Sequence, residues 1–170
     1  MIARRFAVLA LTGLAMAGIA WSMTTEVRPF LVYNASFSAP LGFYRLIDNG
    51  PPQQGDAVLA PPPADFQSMI DQRGYLSPGT PLIKRIAAVA RDHVCRHRDA
   101  ILINGRTVIE HVYDRDRLGR TLPSWHGCRR LRSDEIFALM SDVPNSLDSR
   151  YFGPIETETI IGTLVPLWTF

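Results

Sequence analysis

Lys84 is the only lysine among the 18 basic residues of this 170-residue sequence; every other one is arginine. Drift in base composition would explain the missing lysines but not the survivor. A position that keeps lysine points to a need for an amine that can lose its proton, which a guanidinium does not do. Its neighbours Pro81, Leu82, Ile83 and Ile86 are apolar. Burial among them disfavours the ammonium form and lowers its pKa, leaving a useful neutral fraction near neutral pH. A neutral amine can take the proton from a serine hydroxyl. The competing reading is a strand-edge lysine that snorkels into water.

The segment NASFSAPLGFY, residues 34–44, supplies the matching nucleophile. It holds Ser36 and Ser38, followed by Pro40 and Gly42, and Pro and Gly impose a tight, non-regular backbone. A serine held there presents its hydroxyl and its backbone N–H together, as an attacking group beside an oxyanion donor requires. By itself such a segment is more often a plain turn. A third segment, MSDVPNSLDSRYFG from Met140 to Gly153, gathers Asp142, Asn145, Ser146, Asp148, Ser149 and Arg150 beside Tyr151 and Phe152. It can orient Lys84 and anchor a site through an Asp148–Arg150 interaction; the alternative is an ordinary polar turn.

Cys95 and Cys128 are the two cysteines. In an exported domain a pair most simply forms a disulfide, expected here to pin the hairpin region away from the chemistry. A rival stays open. His93, Cys95 and His97 share one face if they lie on a strand, and His126 and Cys128 repeat the spacing, so together they could hold zinc or copper. A metal-binding, non-catalytic protein is therefore the second functional hypothesis, and a structural assembly protein without catalysis is another. A Ser–His–Asp triad is less favoured, because no histidine sits in a motif that suggests a base.

The elements that must position these residues are mostly strands. Gly42 to Ile47 (GFYRLI), Asp56 to Ala60 (DAVLA) and the apolar stretch Pro81 to Ala90 read as strands between Pro and Gly punctuation. Glu135 to Met140 and Ile160 to Leu167 read as late strands. Asn104-Gly105 between two β-rich runs signals a hairpin. Ala64 to Arg73 is a short helix with Gly74 just past its end, and Tyr113 to Arg120 a solvated loop. The fold class is thus mainly β, an antiparallel domain that is barrel-like or folded over on itself.

Ahead of this domain, Arg4 and Arg5 precede an uncharged apolar run from Phe6 to Met23. Its length suits a short transmembrane helix, with Trp21 at the far interface. Two arginines before it and Glu26 after it orient the N-terminus inward, placing the rest outside the cytoplasm. Ala15 and Ala17 leave a cleavable signal peptide as the alternative, and a buried core helix is a third. The division is residues 1–28 as anchor and linker and 29–170 as exported domain. With a formal net charge of +2 and scattered basic residues, nothing argues for nucleic acid as a partner.

The three chemical segments together resemble the type I signal peptidase superfamily of serine–lysine endopeptidases, most closely its conjugative-transfer, TraF-like branch. The resemblance rests on Asn34 with Ser38-Ala39-Pro40-Leu41-Gly42-Phe43-Tyr44, on Lys84-Arg85-Ile86, and on Ser141-Asp142-Val143 followed by Asp148-Ser149-Arg150-Tyr151-Phe152-Gly153-Pro154. Gly55-Asp56 and Asn104-Gly105 also fit. The sequence departs from housekeeping signal peptidases in placing Pro two rather than three residues after Ser38, and in Ser141-Asp142-Val143 where they carry Gly-Asp-Asn.

The resemblance implies a signal-peptidase-like β domain whose apolar edge rests on the membrane. It implies Ser38 as nucleophile, Lys84 as general base, the Ser38 N–H and Ser36 as oxyanion donors, and Ser146 and Asp148 as the shell that positions Lys84. It implies peptide hydrolysis through an acyl-enzyme, without a cofactor, after a small residue of a pilin precursor or another preprotein of a conjugative type IV secretion apparatus. Some relatives go on to cyclise the pilin. The implied location is the inner membrane, with the N-terminus cytoplasmic and the catalytic domain periplasmic.

Overall fold

The computed structural model describes residues 2–24, 30–48 and 50–170. Glu26 and the boundary at residues 28–29 lie outside the described residues.

Helix α1 (Ile2–Thr24) forms where the sequence has neither proline nor, past Arg5, any charge to interrupt it. Thr12 folds its hydroxyl back onto the Val8 carbonyl at 2.9 Å, as an intrahelical hydroxyl does where no water competes. The 20 residues Arg4–Met23 include an 18-residue window with a mean hydropathy of 1.8, none of it buried in the protein. At 1.5 Å per residue they reach about 30 Å, the thickness of a bilayer's hydrocarbon core.

Eleven strands and two further short helices are described after α1. In chain order the strands are β1 (Leu31–Asn34), β2 (Gly42–Ile47), β3 (Ala57–Ala60), β4 (Leu82–Ala88), β5 (His93–His97), β6 (Ala100–Ile103), β7 (Arg106–Ile109), β8 (Gly127–Arg130), β9 (Glu135–Leu139), β10 (Ile155–Glu156) and β11 (Gly162–Thr169). Helix α2 (Ala64–Arg73) joins β3 to β4, and α3 (Ser149–Phe152) follows β9. Seven strands form one antiparallel sheet in the order β1-β2-β11-β3-β4-β9-β10, and four form a second, β7-β6-β5-β8. The last strand, β11, threads between β2 and β3, so the far end of the chain closes the sheet that its first strands began.

Both faces of the larger sheet are covered around β4, and this decides the surroundings of Lys84. Ile83 packs with Ala39, Tyr44, Leu59 and Leu164 on one face. Ile86 packs with Val58, Ile136 and Ala138 on the other. A third cluster, including Ala88, Val94, Ile101, Phe137, Leu139 and Tyr151, joins the second sheet to β9 and α3.

Most expected elements are present. Helix α2 has the expected bounds, and Gly74 ends it at a φ of 64°, a left-handed conformation that glycine adopts without steric cost. The hairpin turn places Asn104 and Gly105 at φ of 50° and 79°, as a two-residue turn matched to strand twist demands. The last strand starts at Gly162 rather than Ile160, because residues 157–159 make a 3-10 turn first. The segment 140–153 is not a plain polar turn: Asp148 caps α3 by accepting a hydrogen bond from the Arg150 N–H.

Cys95 and Cys128 are disulfide-bonded, with their sulfurs 2.05 Å apart. They face each other in register across β5 and β8 and close a separation of 33 residues. A loop of that size stabilises by about 3 kcal/mol through the entropy it removes from the unfolded chain. This corrects the metal reading. A coordinating cysteine must offer a thiolate, and both sulfurs are already bonded. His93 approaches Cys95 Sγ at 3.7 Å, but His126 is turned to the Ser124 hydroxyl at 2.9 Å.

Candidate active site

The loop between β1 and β2 carries both candidate serines, and one side chain organises it. Asn34, buried at the end of β1, donates through its amide nitrogen to the carbonyls of Ser36, Ala39 and Pro40, each at 3.0 Å. Its carbonyl oxygen accepts from the Ser36 N–H at 3.1 Å and the Ser36 hydroxyl at 2.9 Å. The Tyr44 hydroxyl adds a bond to Pro40 O at 2.7 Å. A seven-residue loop that would otherwise leave several carbonyls unmet is thereby set in one conformation.

Ser36 Oγ and Ser38 Oγ lie 2.8 Å apart. Either hydroxyl can donate to the other: Ser38 does so while the Ser36 proton is on Asn34, and Ser36 does so when its proton turns away. Ser38 is half-buried and Phe37, between the two serines, is 85% exposed. The nucleophile candidate thus sits at the rim of the domain rather than in its interior.

Lys84 occupies the middle of β4, opposite Val58 on β3 and two residues before Ile86, whose partner on β9 is Ala138. It is 5% exposed. It borders a shallow, mostly apolar hollow with Val58, Ala60, Leu82 and Ala138, closed on one side by Asp148, Ser149 and Phe152. Burial lowers the amine's pKa from the usual 10.5 to about 8; the Asp148 charge opposes that shift and the Arg150 charge adds to it. Near pH 8 about half of such an amine is neutral and able to accept a proton.

Asp148 and Arg150 form the platform beside it. Arg150 Nε donates to one Asp148 oxygen at 2.8 Å and Nη2 to the other at 3.0 Å, a two-pronged pair in which both side chains are 0% exposed. Most of the remaining hydrogen-bonding capacity is met as well. Arg150 donates to the carbonyls of Pro144 at 2.7 Å and Met140 at 2.8 Å, and Asp148 accepts from the Met140 N–H at 3.0 Å. A buried pair holds one geometry only when its lone pairs and protons are satisfied in this way. Ser146 is buried too, yet its hydroxyl has no hydrogen-bond partner among the described residues. An unpaired buried hydroxyl is rare enough to require a reason.

One apolar cluster, on the face of β4 opposite the Lys84 side chain, touches all three segments. Ala39, next to Ser38, and Ile83, next to Lys84, are both members, and Met140, which binds Asp148 and Arg150, packs against them. Among the described residues no hydrogen bond joins Ser38 to Lys84; in substrate-free enzymes such contacts are often long and tighten only on binding. Asp142, which the sequence grouped with the loop, is exposed, whereas Asp148 and Arg150 are buried. The organising part played by Asn34 was not evident beforehand. Its signal was an amide side chain two residues before the first serine, with Pro and Gly following, the composition of a side-chain-bridged turn.

A family described as signal peptidase, peptidase S26, matches residues 3–168. Among curated relatives, the conjugal transfer protein TraF of Agrobacterium fabrum (strain C58) is 32% identical over 171 residues, covering 95% of this chain and 91% of that protein. A plasmid transfer protein TraF of Escherichia coli is 30% identical over 146 residues, covering 81% of this chain and 82% of that one. A crystal structure of a signal peptidase I from Enterococcus faecalis V583 aligns at a TM-score of 0.40 and 20% identity, over 67% of this chain and 97% of that chain, a likeness too loose to carry an argument.

Proposed function

The chain belongs to the signal peptidase S26 family, and from that premise we propose that it is a membrane-anchored serine endopeptidase of a conjugative transfer system, with Ser38 as nucleophile and Lys84 as general base. One observation carries the reading: the only lysine in the chain is buried in an apolar strand beside the buried, doubly hydrogen-bonded Asp148–Arg150 pair, with its pKa brought down to about 8.

In this mechanism Ser38 Oγ attacks the scissile carbonyl carbon while its proton passes to Lys84 Nζ. The developing oxyanion is met by the Ser38 N–H and by the Ser36 hydroxyl, once the latter turns from Asn34. The Lys84 ammonium then gives its proton to the leaving amine. The same amine draws a proton from the water that opens the acyl-enzyme. By its place in the family's late block, two residues before Asp148, Ser146 is assigned the role of accepting a hydrogen bond from Lys84, and its buried hydroxyl has no other partner among the described residues.

Membership of the family, rather than the hollow around Lys84, which no residue of the serine loop lines, favours a small side chain before the cut. Helix α1 is the anchor, residues 1–28 forming anchor and linker and 29–170 the exported domain. Arg4 and Arg5 hold the N-terminus on the cytoplasmic side. The disulfide fits an oxidising compartment such as the periplasm. Phe30, Tyr33, Phe37, Trp168 and Phe170 are exposed on β1, the serine loop and the end of β11, so the Ser38 edge of the domain is the apolar one. That edge suits cleavage at a membrane surface. The substrate we favour is a pilin precursor of the conjugative apparatus.

The test is cleavage of the cognate pilin precursor in membranes by wild type, Ser38→Ala and Lys84→Arg. Both variants should fold and neither should cut. Processing by Lys84→Arg would remove lysine as the base, because arginine keeps the charge without giving up a proton.

A further inference from the structure

Strand β5 alternates exposed and buried positions, and its inward residues are Val94 and Arg96. A core-facing strand position ordinarily takes an apolar side chain, since a buried charge loses its hydration and needs something in return. Arg96 is 6% exposed. Its hydrogen bonds run to carbonyls: Nη1 donates to Arg150 O at 3.0 Å and Nε to Arg98 O at 3.4 Å. Asp99 and Tyr151 act on it through their fields. The guanidinium therefore crosses from the four-stranded sheet and ends on the main chain of α3.

Helix α3 has four residues. A single turn is too short to hold itself in place by its own hydrogen bonds. The Arg150 side chain ties it to Asp148, Met140 and Pro144 from one side. The Arg150 carbonyl is held from the other side by Arg96. Asp148, Ser149 and Phe152 close one wall of the hollow around Lys84. A shift of α3 would open that wall to water.

Resting on the Ser–Lys reading above, we propose that Arg96 is a positioning residue for the reaction: through the Arg150 carbonyl it clamps α3 against the Lys84 hollow and keeps the amine dry. It touches no reacting atom. The disulfide partner Cys95 precedes it on the same strand, so the second sheet, expected to lie apart from the chemistry, supports it at this point.

The single lysine makes the test direct. Lysine carrying carbon-13 at Cε labels one site in the full-length protein, and its titration can be followed by NMR in detergent without substrate. Wild type should titrate near 8. Arg96→Met should move the midpoint toward that of a solvated lysine by about half a unit or more, as water reaches the amine. It should also lower kcat/KM at pH 7.5 by about tenfold. Arg96→Lys, which still offers a donor to the same carbonyl, should recover most of both. Arg96→Gln carries the same expectation as Arg96→Met and replaces it if that variant does not fold. A wild-type midpoint in a folded Met or Gln variant, whatever its Tm, would overturn the proposal and leave Arg96 a structural residue only. The titration does not depend on catalysis, so a Lys84→Arg enzyme that still cut would sink the Ser–Lys reading while this comparison stayed informative.

Discussion

Asp148 and Arg150, two residues apart in the chain, face each other as a doubly hydrogen-bonded ion pair that no solvent reaches. The pair sets the backbone of residues 140–150 and places a carboxylate near the only lysine. Replacing Asp148 by Asn keeps the shape but leaves the Arg150 charge uncompensated. The expected loss is about 3–5 kcal/mol, read from urea unfolding of the full chain in detergent. The double change Asp148→Leu with Arg150→Met removes both charges and should recover much of that loss. A double variant as unstable as Asp148→Asn would mean that the carbonyl contacts, not the charge, dominate.

With Lys84 as the proposed base, pH acts on rate as well as on stability. Its folded-state pKa is lowered to about 8, below the unfolded value of 10.5. The unfolded chain therefore binds more protons between those values, and stability rises with pH across that window. Below pH 8 the fold carries the full cost of a buried ammonium, about 3 kcal/mol for such a shift. Lys84→Met should accordingly melt higher than wild type at pH 7, with the gap narrowing from pH 8 to 10.5. The wild-type kcat/KM should climb to a plateau through pH 8. A gap that stays constant with pH would show that Lys84 titrates as an ordinary lysine.

Ser146 offers a separation of stability from activity. Its hydroxyl is buried and unpaired among the described residues, so Ser146→Ala removes a polar group that gains nothing in the resting fold. The variant should be as stable as wild type or better by about 1 kcal/mol. If the hydroxyl steadies Lys84 during turnover, kcat should still fall by about tenfold. Unchanged kcat would remove Ser146 from the machinery.

Gly42 ends the serine loop and starts β2 at a φ of 136°. A Cβ there would stand 2.1 Å from the Trp168 carbonyl oxygen and 2.8 Å from Thr169 Cα. Both are main-chain atoms of β11 and cannot swing aside. Gly42→Ala should cost about 2–4 kcal/mol and pry β2 from β11, visible as faster amide exchange in both strands. Protection equal to wild type would contradict the close approach of these strands.

Much of this architecture was readable from local sequence because the cause was local. The bounds of α2 follow from Pro63 before it and Gly74 after it. The β6–β7 hairpin follows from the two positive φ angles that Asn104-Gly105 accepts. The strand GFYRLI followed from its composition and flanking punctuation. Strands β5 and β8 were less evident. Every residue of β8 is exposed, and β5, though it alternates in burial, hides an arginine where an apolar residue is expected, so neither shows the usual alternation of apolar and polar residue types.

The sequence by itself determined the chemical inventory: one lysine, two serines in a constrained loop, two cysteines able to pair, and an apolar N-terminal run. Those are properties of residue type and short-range spacing, which the chain carries whatever its fold. The tertiary structure decided what surrounds them. Only the pairing of β4 with β3 and β9 buries Lys84, only the register of β5 with β8 joins the cysteines, and only the packing of the second sheet on α3 brings Arg96 to Arg150. Burial, dielectric and hydrogen-bond partners are set by residues distant in sequence, so the protonation state of one amine had to wait for the fold.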